Sequence, residues 1–568
     1  MLNWEIFMDK MDMLEKELSR KRNKKILMIG APVLLVLLIA GSIWYFAKSP
    51  DSGLFAGKTE DGIKYQISET VNLPMEKIRT LNPVTSMDQD VYHMSKLVYQ
   101  SLFTLDETLT PTPQLVNMYS YDNSNVSMDI TLNRDAYFSG GRNLKAADVK
   151  YSIEQYKAAA ASGSTVYGGY VAHIKSVKLD KEDDYKLTIF FDSKVNMGEE
   201  QLIFPVVTES TYGKYDAYKV KSGKFIPEGS GPYMVEKYND IAGLTMVANP
   251  NYRGEKPKNT LNFVILPSRD DLVSLLDVGK INFGISTEIS RDADIADKDI
   301  VDRSFPLNQV EVIGFNFNKP YMKAKRVRKA VAYALDCADI NDSVYYKKGI
   351  LSDTILYPGY MGLENKGDIY PMNLDKAEKL LLDYGFKHKD GDGPMVDKED
   401  EPLVLRILVD GTAKERMVIF EELQESLTYL KVGCQLIQAQ GTEEFKQMVY
   451  AGDYDMFIGG LTINETYDLR PLLATGYGNP LGYSNPNLDK LMDRIKSGIS
   501  QEKKREALEE IRNILADEIP YYTILYKSGG GLVASSLMDY QDTTLFDYYF
   551  RGVEKWRCRY AVSLYKED

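Results

Sequence analysis

The residues best able to do chemistry are few and scattered in this chain. Cys337, Cys434 and Cys558 lie far apart, and no Cys-x-x-Cys spacing occurs. The spacing therefore points to neither a zinc ribbon nor a redox pair. A disulfide between two of them stays open, but an odd, widely spaced set is no disulfide scaffold. His93, His173 and His388 likewise lack metal-ligand spacing. The loop Lys389-Asp390-Gly391-Asp392-Gly393-Pro394 is acidic enough to invite calcium. An EF-hand alternates its ligands through a twelve-residue loop that ends on a bidentate Glu, and Pro394 and Met395 break that pattern. It reads as a turn between the preceding helix and the strand LVLRILV. No GxSxG elbow, HExxH, Walker A loop or strand-borne GxGxxG is present. Ser528-Gly529-Gly530-Gly531-Leu532 has no following Lys-Ser/Thr and reads as a bend after YYTILY. The 82 Asp and Glu single out no pair for glycoside hydrolysis. No catalytic residue, metal site or cofactor is expected, and the chain does not read as an enzyme.

What remains is recognition. A formal charge of −13 and a pI near 5.1 argue against nucleic acid, which needs clustered Lys and Arg to displace counterions. The 40 Tyr are out of proportion to 20 Phe and 3 Trp. Tyr offers a rigid, half-polar face suited to wet clefts.

The elements that must carry such a cleft alternate along the chain. VSMDITLN, YKLTIFFD, LTMVANPNY, NTLNFVIL and VEVIGFNFN read as strands. AADVKYSIEQYKAAAA, KAKRVRKAVAYAL, LDKAEKLLLDYG, ERMVIFEELQESLTYL and KKREALEEIRNILADE are helical, most of them with apolar residues at i, i+3, i+4. Mixed strands and helices without strict βαβ repetition mean an α/β or α+β assembly in more than one lobe.

Before these elements, Ile26–Ala47 is a run of 22 residues without a formal charge. As a helix it reaches roughly 33 Å, enough to span a bilayer core. Arg20, Lys21, Arg22, Lys24 and Lys25 precede it and place the N-terminus in the cytoplasm by the positive-inside rule. The run is long for a signal-peptide core and is expected to stay as an uncleaved anchor. Residues 1–25 then form a cytoplasmic stub and 48–62 a tether.

Several stretches, in order over nearly all of the outer portion, resemble the family 5 extracellular solute-binding proteins. Leu81-Asn82-Pro83 with Leu97-Val98-Tyr99-Gln100-Ser101-Leu102 is similar to that family's opening pattern. Thr131 to Gly141, with Leu144, Ala147-Asp148-Val149 and Tyr151-Ser152, resembles its signature, and Gly229-Ser230-Gly231-Pro232-Tyr233 with Asn249-Pro250-Asn251-Tyr252 follows. Gly314-Phe315-Asn316, Arg326 to Ala330, Ala334-Leu335-Asp336, Ser484-Asn485-Pro486 and Ile519-Pro520-Tyr521-Tyr522 complete the order.

The resemblance implies a two-lobed, periplasmic-binding-protein-like α/β fold with a hinge, preceded by the single transmembrane helix. Lobe I would run from 63 to 307, with an inserted subdomain about 104–225, and return at 527–568; lobe II would span 308–526. It implies a receptor of an ABC importer that closes over an oligopeptide or a similar polar solute, acts as a monomer, and delivers to permease subunits in the membrane. A membrane-anchored sensor or scaffold on the same fold is the alternative, and an extracellular hydrolase a more distant one. In peptide-binding relatives a strand pairs with the ligand backbone and its Asp anchors the ammonium. Tyr454 to Glu465 aligns with that strand, which nominates Gly459, Gly460, Leu461, Thr462, Asn464 and Glu465. Here Leu461 stands where the family has Trp, and Asn464 where it has Asp. A neutral amide cannot supply the charge-assisted bond an amine prefers. Either Glu465 or Asp468 takes over, or the solute has no free N-terminus. Tyr92, Tyr357 and Tyr360 follow cleft-lining segments and are expected to stack on or hydrogen-bond the solute.

Overall fold

The computed structural model describes residues 59–60, 63–122, 126–192, 198–212, 226–239, 241–463, 467–496 and 499–561. The expected membrane span, Ile26–Ala47, and the stub before it lie outside these residues. Among the described residues no helix is long and apolar enough to cross a membrane. The chain divides into two compact units, residues 1–68 with 560–568, and residues 69–559. In the first, Thr59–Glu60 pairs antiparallel with Ile63–Ser68.

The second unit holds three larger sheets. One has the order Tyr233–Asn239, Gly243–Ala248, Thr260–Ile265, Thr70–Met75, the last two strands parallel. Another is antiparallel, with Val116–Tyr121, Ser127–Leu132, Lys186–Phe191 and Ile174–Leu179 in that order. Its Ser127–Leu132 buries Met128, Ile130 and Leu132 but exposes Asp129, the alternation expected of a half-buried strand. Helix α1 (Gln89–Val98) and helix α2 (Ala146–Ala161) flank these sheets in sequence. The Lys145 amide donates to the Asp148 carboxylate at 2.9 Å. That bond satisfies one orphan donor at the start of α2, where the helix dipole favours an anion.

The third sheet is the structural axis. Its strands are β1 (Phe283–Ser286), β2 (Ile300–Phe315), β3 (Val404–Asp410), β4 (Gly433–Ala439), β5 (Met456–Thr462) and β6 (Tyr521–Ala534), in the spatial order β1-β6-β2-β5-β3-β4. β3 is parallel to β4 and β5, and the other pairs are antiparallel. Leu405, Ile407, Leu408 and Val409 are all buried, so β3 is covered on both faces, as an inner parallel strand should be. Helices α3 (Lys325–Tyr333), α4 (Leu374–Tyr384) and α5 (Lys414–Tyr429) contribute Val331, Leu381, Ile419 and Leu423 to one core with Ile313, Phe315 and Ile458. Helix α6 (Gln501–Glu518) follows before β6.

The expected bend at Ser528–Leu532 is instead continuous strand, the second half of β6. Its glycines are there for space. A Cβ on Gly529 would sit 2.7 Å from the Phe305 ring, and one on Gly530 would collide with Arg291 and Asp302. Glycine in a strand marks close approach as readily as it marks a turn. The Lys389–Gly391 segment is the expected turn, closing the short hairpin Lys387–His388 with Met395–Val396. Among the described residues no group of three or more His, Cys, Asp or Glu is arranged to hold a metal ion.

Candidate functional site

The site is built where two long strands change partners. β2 and β6 pair from Ile300↔Ala534 to Pro306↔Ser528, and again from Val310↔Tyr526 to Gly314↔Tyr521. Between these runs Leu307, Asn308 and Gln309 oppose Lys527 alone. Such a bulge breaks the ladder and re-aims side chains. Before it β6 has β1 on its outer side; beyond it β2 has β5.

A cavity of about 280 Å³ opens at this bulge. Leu307, Gln309, Lys527 and Ser528 line it from the two strands, Thr287–Ile289 from the chain after β1, and Tyr345 and Lys348 from the turn after the helix Cys337–Ser343. Thr287, Glu288 and Gln309 are exposed at the rim, whereas Leu307, Tyr345 and Ser528 are buried in the floor.

Charge in and under the floor is organised by Glu311. Its carboxylate is 2% exposed; it accepts from Arg416 Nε at 2.8 Å and Arg416 Nη2 at 3.1 Å, and lies 3.1 Å from Lys527 Nζ. Burial alone would raise this carboxyl, but the Arg416 hydrogen bonds and charge, with Lys527, outweigh it and hold it below its ordinary range. Lys348 Nζ bridges Asp292 at 2.6 Å and Asp302 at 2.8 Å. Asp302 also receives Arg291 Nε at 2.8 Å, and Arg291 Nη2 reaches Ser528 Oγ at 3.1 Å. The Tyr345 hydroxyl is buried and, among the described residues, has no hydrogen-bond partner. Burial pushes its pKa up, so it stays protonated as a donor.

The strand nominated from the sequence borders this cluster. Gly459, Gly460, Leu461 and Thr462 of β5 face Val312, Glu311, Val310 and Gln309 of β2. On its other side β5 pairs with β3 only from Met456 to Ile458. Among the described residues Gly459–Thr462 therefore has no strand partner along that edge. Gly460 is glycine for a steric reason, since a Cβ there would collide with Arg416. Asn464 and Glu465 lie outside the described residues. Asp468 is engaged locally: it accepts from Arg470 Nε at 2.6 Å and from the Arg470 amide at 3.1 Å.

This sheet order, with two strands crossing its full length, can be compared with known proteins. The model of the bacterial extracellular solute-binding proteins, family 5, matches residues 110–480. The chain belongs to that family. It is 24% identical over 554 residues to the oligopeptide-binding protein AppA of Bacillus subtilis, covering 94% of this chain and 99% of AppA. The structure of AppA in complex with a nonapeptide superposes with a TM-score of 0.56 at 20% identity, over 89% of this chain and 99% of that one. The structure described as a nickel ABC transporter from Bacillus halodurans gives 0.71 at 17% identity, over 84% and 98%. The fold of this family 5 chain is thus the α/β, periplasmic-binding-protein-like one. It belongs with binding proteins rather than enzymes.

The three nominated tyrosines are placed in two groups. Tyr357 and Tyr360 come together with Tyr467: the Tyr360 and Tyr467 rings stack at 3.5 Å, and Tyr357 packs edge-on at 6.4 Å. The Tyr357 hydroxyl donates to the Pro306 carbonyl at 2.8 Å and that of Tyr360 to Glu200 Oε1 at 3.3 Å. Tyr92 sits on α1, where its hydroxyl accepts from Lys96 at 3.0 Å. All three hydroxyls are spoken for within the protein, and all three rings are buried. The residues that sequence reasoning missed are Glu311, Arg416, Lys527, Lys348 and Tyr345. One signal was available: Glu311 interrupts the apolar run of β2 at an inward position, and a charge there calls for a buried partner.

Proposed function

We propose that this chain is the extracytoplasmic receptor of an ABC importer, and that it binds an oligopeptide or similar polar solute at the bulge of β2 and β6. The observation that carries this reading is the uncovered edge of Gly459–Thr462, in a strand whose other edge pairs with β2 as far as the cavity-lining Gln309. An extended peptide pairing with that edge would bind by β-augmentation. Two lobes, 63–307 with 527–568 and 308–526, would turn about Leu307–Gln309 and Lys527, with the subdomain at about 104–225 moving with the first. Bound solute then favours the closed form by contacts made only there, which permease subunits in the membrane can read. Ile26–Ala47 would anchor the receptor as a single pass with its N-terminus in the cytoplasm. We take it to act as a monomer. Asn464 removes the family's ammonium anchor, and Glu465 is the carboxylate nearest in sequence to replace it.

AppA, named for oligopeptides, supports the choice of solute. The test is a thermal-shift series with peptide pools of two to nine residues. Saturation at a hundredfold excess over Kd is expected to stabilise by about 2.7 kcal/mol. Absence of any shift across all lengths would remove peptides as the solute.

A further inference from the structure

Three contacts join segments that the proposed hinge would part. The 3-10 turn Gly198–Leu202 and Thr108 belong to the first lobe, and Tyr360, Met361 and α6 to the second. Lys504 of α6 pairs with Glu199 at 3.0 Å, both side chains being buried. The Tyr360 hydroxyl donates to Glu200 Oε1 at 3.3 Å, and the Met361 amide donates to the Thr108 carbonyl at 2.8 Å. Met361 makes that bond from a φ of 49°, a left-handed conformation that persists where surrounding contacts fix it. The charges do not balance. Among the described residues one lysine meets two buried carboxylates, and Glu200 Oε2 has no hydrogen-bond partner. Tyr119 and Tyr121 donate to Glu199, and the helix Gly168–Val171 packed on the turn brings Tyr170. The strands Phe103–Leu105 and Pro111–Pro113, also packed there, bring no titratable side chain. Glu502, Lys503 and Arg505, beside Lys504 on α6, are exposed. A second buried carboxylate without its own cation takes up a proton instead, and burial pushes the Glu200 carboxyl well above 4.5.

We propose that Glu199, Glu200 and Lys504 form a latch across the hinge, positioning residues that set how readily the receptor closes. The inference rests on reading the two lobes as a hinged pair. The latch is joined with Glu199 paired to Lys504 and a proton on Glu200. Parting the lobes hydrates both carboxylates and lets Glu200 ionise. Rising pH therefore favours the open form, and mild acidity the closed one.

The experiment measures the distance between spin labels on the full-length protein at pH 6 and pH 8. The labels sit on Lys178→Cys, in the strand Ile174–Leu179, and on Glu421→Cys of α5, both exposed positions. Cys434→Ser leaves only the buried Cys337 and Cys558. The ratio of longer to shorter distance is expected to rise with pH, by up to about tenfold per pH unit, the limit for one linked proton. Lys504→Met, which strands two carboxylates, should favour the longer distance at both pH values, and Glu200→Gln should abolish the pH dependence. Circular dichroism checks that the variants are folded. Should Lys504→Met fail to fold, Tyr360→Phe takes its place, keeping the ring stacked on Tyr467 and removing one hydroxyl. The latch is overturned if Lys504→Met keeps the wild-type distances, or if Glu200→Gln responds to pH as the wild type does. A pool of synthetic nonapeptides separates the latch from the hinge. Distances that respond to the pool but not to Lys504→Met overturn the latch alone, and distances that respond to neither overturn the hinged reading with it.

Discussion

Glu311 is a carboxylate set into an apolar strand, and the residues around it are arranged for its sake. Arg416 reaches it from the first turn of α5 with two hydrogen bonds, Lys527 closes from β6, and Gly460 gives up a side chain so that the guanidinium fits. Breaking a buried pair from one side is far costlier than replacing it whole, because the surviving charge stays in low dielectric. Arg416→Met is expected to cost about 3 kcal/mol by urea unfolding, the low end of that range because Lys527 remains beside Glu311. The double variant Glu311→Leu/Arg416→Met should recover more than half of the loss. If the two changes simply add, Glu311 and Arg416 do not act as one unit. None of these partners was legible in the sequence beyond the odd charge at Glu311. They lie about a hundred or more positions apart in the chain, and only the sheet order brings them together. The glycine pair Gly459-Gly460 was legible, since close backbone approach leaves its mark in residue type.

At the scale of elements, β6 carries the clearest lesson. YYTILY shows its strand character openly, but Ser528 to Gly531 has the composition of a turn. The chain continues straight because side chains from neighbouring elements lie across these glycines. Gly530 lies against the Arg291–Asp302 pair, in which Arg291 is wholly buried, and Gly531 against the edge of Phe283. Gly530→Ala must push apart a hydrogen-bonded ion pair, whereas Gly531→Ala, with its nearest atom at 3.1 Å, asks a ring to shift slightly. Overpacking of the first kind is expected to cost about 1–3 kcal/mol, and thermal melts should rank Gly530→Ala well below Gly531→Ala. Helices were easier to read than this strand. AADVKYSIEQYKAAAA is α2 from end to end, because its start signal at Asp148 and its apolar spacing are local. β2 was seen only in its second half: Pro306 and Asn308 mask the first half, and these are the residues that flank and form the bulge.

The whole molecule depends on contacts between segments distant in sequence, and one of them ties acidity to stability. The 3-10 turn Gly198–Leu202 presents Glu199 and Glu200, both buried, toward a single lysine. Lys504 of α6 lies 3.0 Å from Glu199 Oε2, with the two side chains 1% and 4% exposed. Tyr121 donates to the same carboxylate at 2.9 Å, and Tyr360 donates to Glu200. One cation cannot neutralise two buried carboxylates, and their pKa values part in opposite directions. Burial is the largest influence and works to raise Glu199, yet the Lys504 charge together with hydrogen bonds from a backbone amide, Lys504 and Tyr121 outweighs it, and the carboxyl falls below its ordinary 4.5. Burial dominates at Glu200, which rises well above 4.5. Linkage then gives neighbouring residues opposite signs. Glu199 contributes stability that is present above its unfolded pKa and is lost as pH falls through the lowered folded value. Folded Glu200 holds a proton that the unfolded chain releases near pH 4.5, so its contribution declines as pH rises from there through the raised folded value. Glu200→Gln, which keeps an acceptor for Tyr360 without the charge, should therefore raise Tm at pH 8 and flatten its decline between pH 5 and 8. Glu199→Gln should lower Tm at pH 8 by stranding Lys504, with the deficit shrinking toward pH 4. Melting curves of both variants across that range decide the matter, and shifts of the same sign at pH 8 would show that the two carboxylates do not divide the work in this way.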